Sequence, residues 1–153
     1  MIQMSETILN RVVAHAAACY PAESCGMLIG SVKERRTTEY RRCENIYDKM
    51  HARDPETFAR TSRAAYMIDP KEQERIFDEV QRNRQQVLAI CHSHADHDAY
   101  FSAEDRLIAT PWGEPVYEGV DYIVTSVWNG QFKEMNLFEW NQPSKDWKEH
   151  KLK

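Results

Sequence analysis

The sequence predicts an α/β chain of the mixed α+β kind, a mixed β-sheet flanked by helices. Three observations predict it. An amphipathic helix opens the chain at 5–19, a helix over 70–84 leads into an apolar strand at 87–91, and strands at 120–128 and 131–140 meet at Asn129-Gly130. The order helix, strands, helix, strand, helix, hairpin contains no internal repeat. With 153 residues, 42% of them hydrophobic, the chain can build the core of one ordinary domain without disulfide staples. That domain is expected over 1–140, with a polar tail at 141–153.

Ser5 is a fitting N-cap for the first helix, and Ile8, Leu9, Val12, Val13, Ala16 and Cys19 form its apolar stripe. His15 falls on or beside the polar side and is expected to be solvated. Tyr20-Pro21 ends the helix, because proline biases its predecessor away from helical geometry. Glu23 precedes a strand over Cys25–Gly30, in which Gly26 suits a close approach of backbone to another segment. Thr37–Cys43, with charged alternates, is its expected hairpin partner. Residues 44–64 hold turn formers and no sustained period, which predicts a long loop with one helical turn. Loops of that length in compact domains are functional or mobile. His51 within it reads as exposed rather than as a ligand.

Ala65–Asp69 reads as a short strand. Asp69 then caps a helix that starts at Pro70 and runs to Arg84, burying Ile76, Phe77 and Val80. Strand, helix and the next strand at 87–91 predict a crossover, and apolar residues on both faces of 87–91 predict a central strand. Two prolines and two glycines mark 110–119 as a loop. Val120–Trp128 is the clearest strand, Asn129-Gly130 a two-residue turn, and Gln131–Trp140 the returning strand. Most of the last ten residues are expected to be loosely ordered, with Trp147 the one residue able to dock.

The formal charge of −4 is spread over both signs, so neither a nucleic-acid partner nor a charge-driven one is expected. No apolar run is long enough to span a bilayer, so no membrane partner is expected. The start Met-Ile-Gln-Met-Ser-Glu lacks the charged end and apolar centre of a signal peptide, so the expected location is cytoplasmic. Cys19, Cys25, Cys43 and Cys91 show no C-x-x-C spacing and read as reduced, mostly buried residues. Cys91 alternates with His92 and so should face away from it, leaving core packing as its role and that of Cys25.

The chemistry concentrates in Cys91–Asp105, where His92, His94, Ser102 and Asp105 are spaced H-x-H, seven residues, S-x-x-D. Residues two apart on a strand share a face, and residues three apart on a helix share one too. Two imidazoles at a strand's end and a carboxylate in a helix's first turn make two nitrogen ligands and one oxygen ligand, with a fourth position left for water. That is the composition of a catalytic zinc site rather than a closed structural one. A His pair alone is more often surface or core, and Ser102-Ala-Glu-Asp105 is also a helix cap with an acidic third residue, a role that coexists with ligation. Beside this motif, Glu23 becomes the candidate general base; alone it would be a solvated carboxylate. His97 matches no ligand position and is assigned no role.

The pattern Glu23-Ser-Cys-Gly, then His92-Ser-His94, then Ser102 and Asp105, resembles the JAMM motif of the MPN-domain zinc metalloproteases. The resemblance runs from the first helix to about Trp140. It implies an MPN/JAB1-like fold, a mixed β-sheet flanked by helices on both sides. It also implies zinc (Zn2+) held by His92, His94 and Asp105, with Glu23 moving a proton from water to the leaving amine. The Ser102 hydroxyl would stabilise the developing oxyanion. The small prokaryotic branch that this chain is similar to processes ubiquitin-like sulfur-carrier proteins, cutting beyond a C-terminal Gly-Gly. The implied partner is therefore such a carrier, its tail added to a sheet edge, with the 44–64 region shaping the groove. Many members have proline after the second His, whereas this chain has Ala95 and then Asp96. Two other readings are a zinc hydrolase of small amides and a non-catalytic MPN scaffold; scaffolds lose motif residues, and here all are present. A nucleobase deaminase is disfavoured because its H-x-E and P-C-x-x-C pattern is missing.

Overall fold

Six strands form one mixed sheet, and the strand that carries His92 and His94 runs through its middle. The computed structural model describes residues 1–153. The strands are β1 (Cys25–Ser31), β2 (Arg36–Cys43), β3 (Gln86–Ala95), β4 (Asp121–Trp128), β5 (Gln131–Asn141) and β6 (Asp146–Lys151). Their order across the sheet is β2-β1-β3-β4-β5-β6. All neighbours are antiparallel except β3 and β4, which run parallel. The helices are α1 (Glu6–Cys19), α2 (Tyr47–Arg53), α3 (Pro70–Arg82) and α4 (Ala103–Ala109). No helix is long and apolar enough to cross a membrane.

The sheet is covered on both faces. On one, Ile8 and Val12 of α1 pack with Leu28, Leu88, Cys91, Ile123, Met135 and Leu137. On the other, Ile76 and Val80 of α3 and Ala109 of α4 pack with Met27, Ile90, Val124 and Phe138. This is the arrangement implied by an MPN/JAB1-like fold. Alternation along β3 places Ile90 on the α3 and α4 face and Cys91 on the α1 face, as the two-residue period requires. Ser5 caps α1 by accepting from the Ile8 amide at 3.2 Å. Asp69 caps α3 by accepting from the Lys71 amide at 2.9 Å, with Pro70 in first position. Asn129 and Gly130 have φ of 50° and 78°, the two positive values that a tight hairpin turn demands.

Gly26 permits the close approach expected of it. A Cβ there would lie 2.6 Å from both the Arg41 carbonyl oxygen and the Tyr40 hydroxyl on β2.

Five expectations are corrected. Residues 65–69 are not a strand. Their backbone bonds go to one side chain and one loop amide: Asn45 accepts from the Met67 amide at 3.1 Å, and Met67 accepts from Ile46 at 2.9 Å. The crossover into β3 through α3 therefore starts from β2, on the far side of β1, and a second parallel connection joins β3 to β4 through α4. Within 44–64, α2 makes two turns of helix instead of one. His15 is not solvated. It is 7% exposed, and its Nδ1 lies 2.7 Å from the Tyr40 hydroxyl, because α1 lies over edge strand β2 as well as the sheet centre. The tail is not loose, since β6 pairs with β5 along 146–151 and Trp147 stacks edge-on to Phe101 and Tyr122. A mostly polar strand is stable there because backbone pairing and one buried aromatic hold it.

Candidate metal centre

β3 continues to Ala95, four residues beyond the apolar run, because its parallel pairing with β4 extends to Ala95 opposite Val127. His92 and His94 thus sit within paired strand, opposite Val124 and Ser126. Both are buried, at 1% and 3% exposure. Their rings are 5.2 Å apart.

α4 brings the third member. Ser102 accepts from the Asp105 amide at 3.0 Å, and Asp105 Oδ2 accepts from the Ser102 amide at 2.9 Å, a reciprocal capping box. The cap pins the Asp105 carboxylate over β3. Oδ1 lies 3.3 Å from His92 Nε2, and Oδ2 lies 3.6 Å from His94 Nε2. One donor atom from each of His92, His94 and Asp105 falls within 4.8 Å of the others. Burial by itself would raise the Asp105 carboxyl; the proximity of His92, then His94 and the Ser102 amide, holds it well below the ordinary carboxylate range.

These residues fit a divalent cation. Both ring nitrogens of His92 are buried without a hydrogen-bond partner, a costly state unless something else engages a lone pair. His94 Nδ1 lies 2.7 Å from the Asp98 carbonyl oxygen. A carbonyl only accepts, so Nδ1 carries a proton, which leaves Nε2, on the side of Asp105, as the ring nitrogen that can ligate a cation. The cysteines are not rival ligands: Cys91 lies on the opposite face, and burial pushes the Cys25 and Cys91 thiols far above their usual range.

A cavity of about 940 Å3 opens beside this group, with Glu23, His94, Ser102 and Asp105 among its lining residues. Its other walls include Phe58, Ile68, Phe77 and Tyr117, so the 44–64 region, α3 and the loop after α4 all contribute. Glu23 is 4% exposed. Its backbone is tied down by the Ser62 carbonyl, 2.6 Å from its amide, and by Asn45, which donates to its carbonyl at 3.0 Å. β1 lies directly beside β3, with Cys25 opposite His92, which is why a residue just before β1 comes to the end of β3. Burial pushes the Glu23 carboxyl up to about 8; His94 opposes the rise, and Asp105 and Glu104 add to it.

The structure therefore brings Glu23, His92, His94, Ser102 and Asp105 into one region. His51 stands apart, its Nδ1 2.6 Å from the Phe58 carbonyl. His97 packs on His94 at 4.2 Å but is not part of the three-residue donor group. The edges of the sheet are β2 and β6; β3, which carries His92 and His94, is paired on both sides by β1 and β4. Asp96, one residue beyond the position where many members have proline, has φ of 62° and accepts from the Tyr20 hydroxyl at 2.8 Å. Sequence reasoning missed Tyr66, whose ring lies parallel to His92 at 4.4 Å and 19°. No local signal marks it, since the stacking depends on a loop folding over the sheet.

Comparison with known proteins adds relatives. The family described as prokaryotic homologs of the JAB domain matches residues 5–141. A desampylase of Haloferax volcanii is 31% identical over 112 residues, 73% of this chain and 71% of that protein. A CysO-cysteine peptidase of Mycobacterium tuberculosis is 29% identical over 103 residues, 67% of this chain; the match spans 62% of that protein's length. In fold, a Desulfitobacterium hafniense protein matches with a TM-score of 0.68 at 20% identity, over 98% of this chain and 90% of its own. A JAB1/MPN domain protein from Archaeoglobus fulgidus matches with a TM-score of 0.53 at 14% identity, over 96% and 94%.

Proposed function

The chain belongs to the prokaryotic homologs of the JAB domain, and from that premise we propose that it is a cytoplasmic, zinc-dependent peptidase or isopeptidase. Its proposed substrate is a ubiquitin-like or sulfur-carrier protein, cut at the bond after a C-terminal Gly-Gly. The observation that carries the reading is a donor group of buried His92 and His94 with half-buried Asp105, of which His94 and Asp105 share the wall of one cavity with the buried carboxylic acid Glu23. The two relatives, one a desampylase and the other a CysO-cysteine peptidase, support the substrate class.

In this reading His92, His94 and Asp105 hold zinc. Zinc bound there supplies Lewis acidity, which activates water near neutral pH and polarises an amide carbonyl. Glu23 takes the proton from the attacking water onto its carboxylate and delivers it to the departing amine. Burial makes the Glu23 carboxyl more basic than an ordinary carboxylate, which suits a group that must accept a proton before it releases one. Ser102 Oγ already accepts from the Asp105 amide. Its own O–H is therefore free to donate to the oxyanion that develops as the amide carbon becomes tetrahedral.

The test is incubation of the zinc-loaded protein with a ubiquitin-like carrier extended beyond Gly-Gly, with the products weighed by mass spectrometry. Release of a fragment ending in Gly-Gly is the expected result. Hydrolysis of small amides alone would move the assignment to a small-amide hydrolase, and no hydrolysis with zinc bound would remove the peptidase reading.

A further inference from the structure

Three polar side chains on the inner face of β4 and β5 have no part in the chemistry above, yet all reach the same short loop. We propose that Ser126, Glu134 and Asn136 are positioning residues: they hold the Asp98-Ala99 peptide so that its carbonyl fixes the tautomer and aim of the His94 ring. This rests on the reading of His94 as a metal ligand.

The register of three strands creates the arrangement. His94 on β3 is opposite Ser126 on β4, and Ser126 is opposite Glu134 on β5; one step along, His92, Val124 and Asn136 form a parallel row. Residues opposite one another share a face, so this polar row points to the side where the loop 96–101 crosses. Ser126 and Asn136 are 0% and 8% exposed. Buried polar groups in such places need partners; both side chains donate to loop backbone, and Asn136 Nδ2 donates also to Glu149 Oε1 at 3.1 Å.

Each of three successive carbonyls is held. Ser126 donates to the His97 carbonyl at 2.6 Å, while its own oxygen accepts from Trp128 Nε1 at 3.1 Å. The Asp98 carbonyl accepts from His94 Nδ1 at 2.7 Å. Asn136 Nδ2 donates to the Ala99 carbonyl at 3.0 Å. The decisive contact is on the other side of the same peptide that His94 uses. The Ala99 amide donates to Glu134 Oε1 at 3.1 Å, so one peptide unit links a carboxylate to the imidazole. A carboxylate at the N–H end polarises the peptide and strengthens its carbonyl as an acceptor. The linkage does for His94 what a directly bonded carboxylate does for other metal-bound histidines: it keeps the proton on Nδ1 and the lone pair on Nε2.

Two readouts test this without recourse to turnover. Nitrogen NMR of the metal-free protein reports the His94 tautomer, and chelator competition reports zinc affinity. The wild type should show His94 with its proton on Nδ1. Glu134→Ala and Asn136→Leu should shift that population toward the other tautomer and weaken zinc binding about 10- to 100-fold, the usual cost of losing such a partner. Glu134→Gln keeps an acceptor for the Ala99 amide without the charge, so it should retain the tautomer and lose less affinity than Glu134→Ala. If Asn136→Leu does not fold, the half-buried Glu134 pair of variants decides alone. Folded variants that keep both the wild-type tautomer and the wild-type affinity overturn the proposal. A wild type with the Nδ1–H tautomer but no zinc affinity overturns the metal-site reading instead, and the tautomer readout then decides the clamp by itself.

Discussion

Replacing Glu23 with glutamine should make the metal-free protein more stable at high pH while removing the proposed hydrolytic activity. Burial raises the Glu23 carboxyl from 4.5 to about 8, so the folded state binds this proton more tightly than the unfolded chain. Stability that is full below about pH 4.5 must therefore fall as pH rises, and the loss is complete above about pH 8. At about 1.4 kcal/mol per tenfold change in proton affinity, the shift corresponds to roughly 4–5 kcal/mol across that window. Water entry and relaxation in an open cavity bring this down to about 2 kcal/mol. Glutamine has nearly the same shape and no charge, so it escapes the cost. Asp121, which burial also raises, to about 6, contributes equally to both proteins and cancels. Urea unfolding of the chelator-treated pair at pH 5, 7 and 9 measures the difference. The Glu23→Gln protein should gain about 2 kcal/mol on wild type between pH 5 and 9, and with zinc restored it should bind the ion without turnover. Parallel stability profiles would show that Glu23 is not held in a poorly hydrated site, and retained turnover would remove it as the base.

Asp105→Ala should abolish stoichiometric zinc, measured by mass spectrometry of the metal after gel filtration; retained zinc would mean that the α4 carboxylate is not a ligand. Arg35 donates to Asp121 at 2.7 Å, and Asp121 is otherwise buried near Glu139. Arg35→Ala should cost about 2 kcal/mol at pH 8 and little at pH 5, where Asp121 can protonate instead. Equal urea midpoints shifts at the two pH values would contradict this. Gly26→Ala should destabilise by about 1–3 kcal/mol through overpacking against Tyr40 and the Arg41 carbonyl. It should also displace Tyr40 from His15, visible as a changed His15 ring resonance; an unaltered melting temperature would refute the close approach.

Much of the local structure was legible because the contacts that produce it are close in the chain. The Ser102 and Asp105 capping box and the positive-φ turn at Asn129-Gly130 are four-residue and two-residue events. Failures occurred where a partner lay far away. His15 looked solvated on its own helix, but Tyr40, 25 residues on, supplies its hydrogen bond. Residues 146–151 looked like a polar tail, because their stability comes from β5 and the aromatic group around Trp147. Ser126 and Asn136 left a readable trace, polar residues at core-facing positions of apolar strands, but nothing in the chain said which backbone they would satisfy.

The sequence by itself determined that His92 and His94 share a strand face and that Ser102 and Asp105 share a helix's first turn, since backbone period needs no distant partner. Only the tertiary structure decided that β1 lies beside β3, bringing Glu23 into the cavity wall. The same is true of Tyr66 over His92 and of the row His94, Ser126, Glu134 across three strands. Strand order and register are settled by the burial of two whole sheet faces at once. The identity of a cross-strand neighbour is therefore a property of the folded sheet and not of any segment within it.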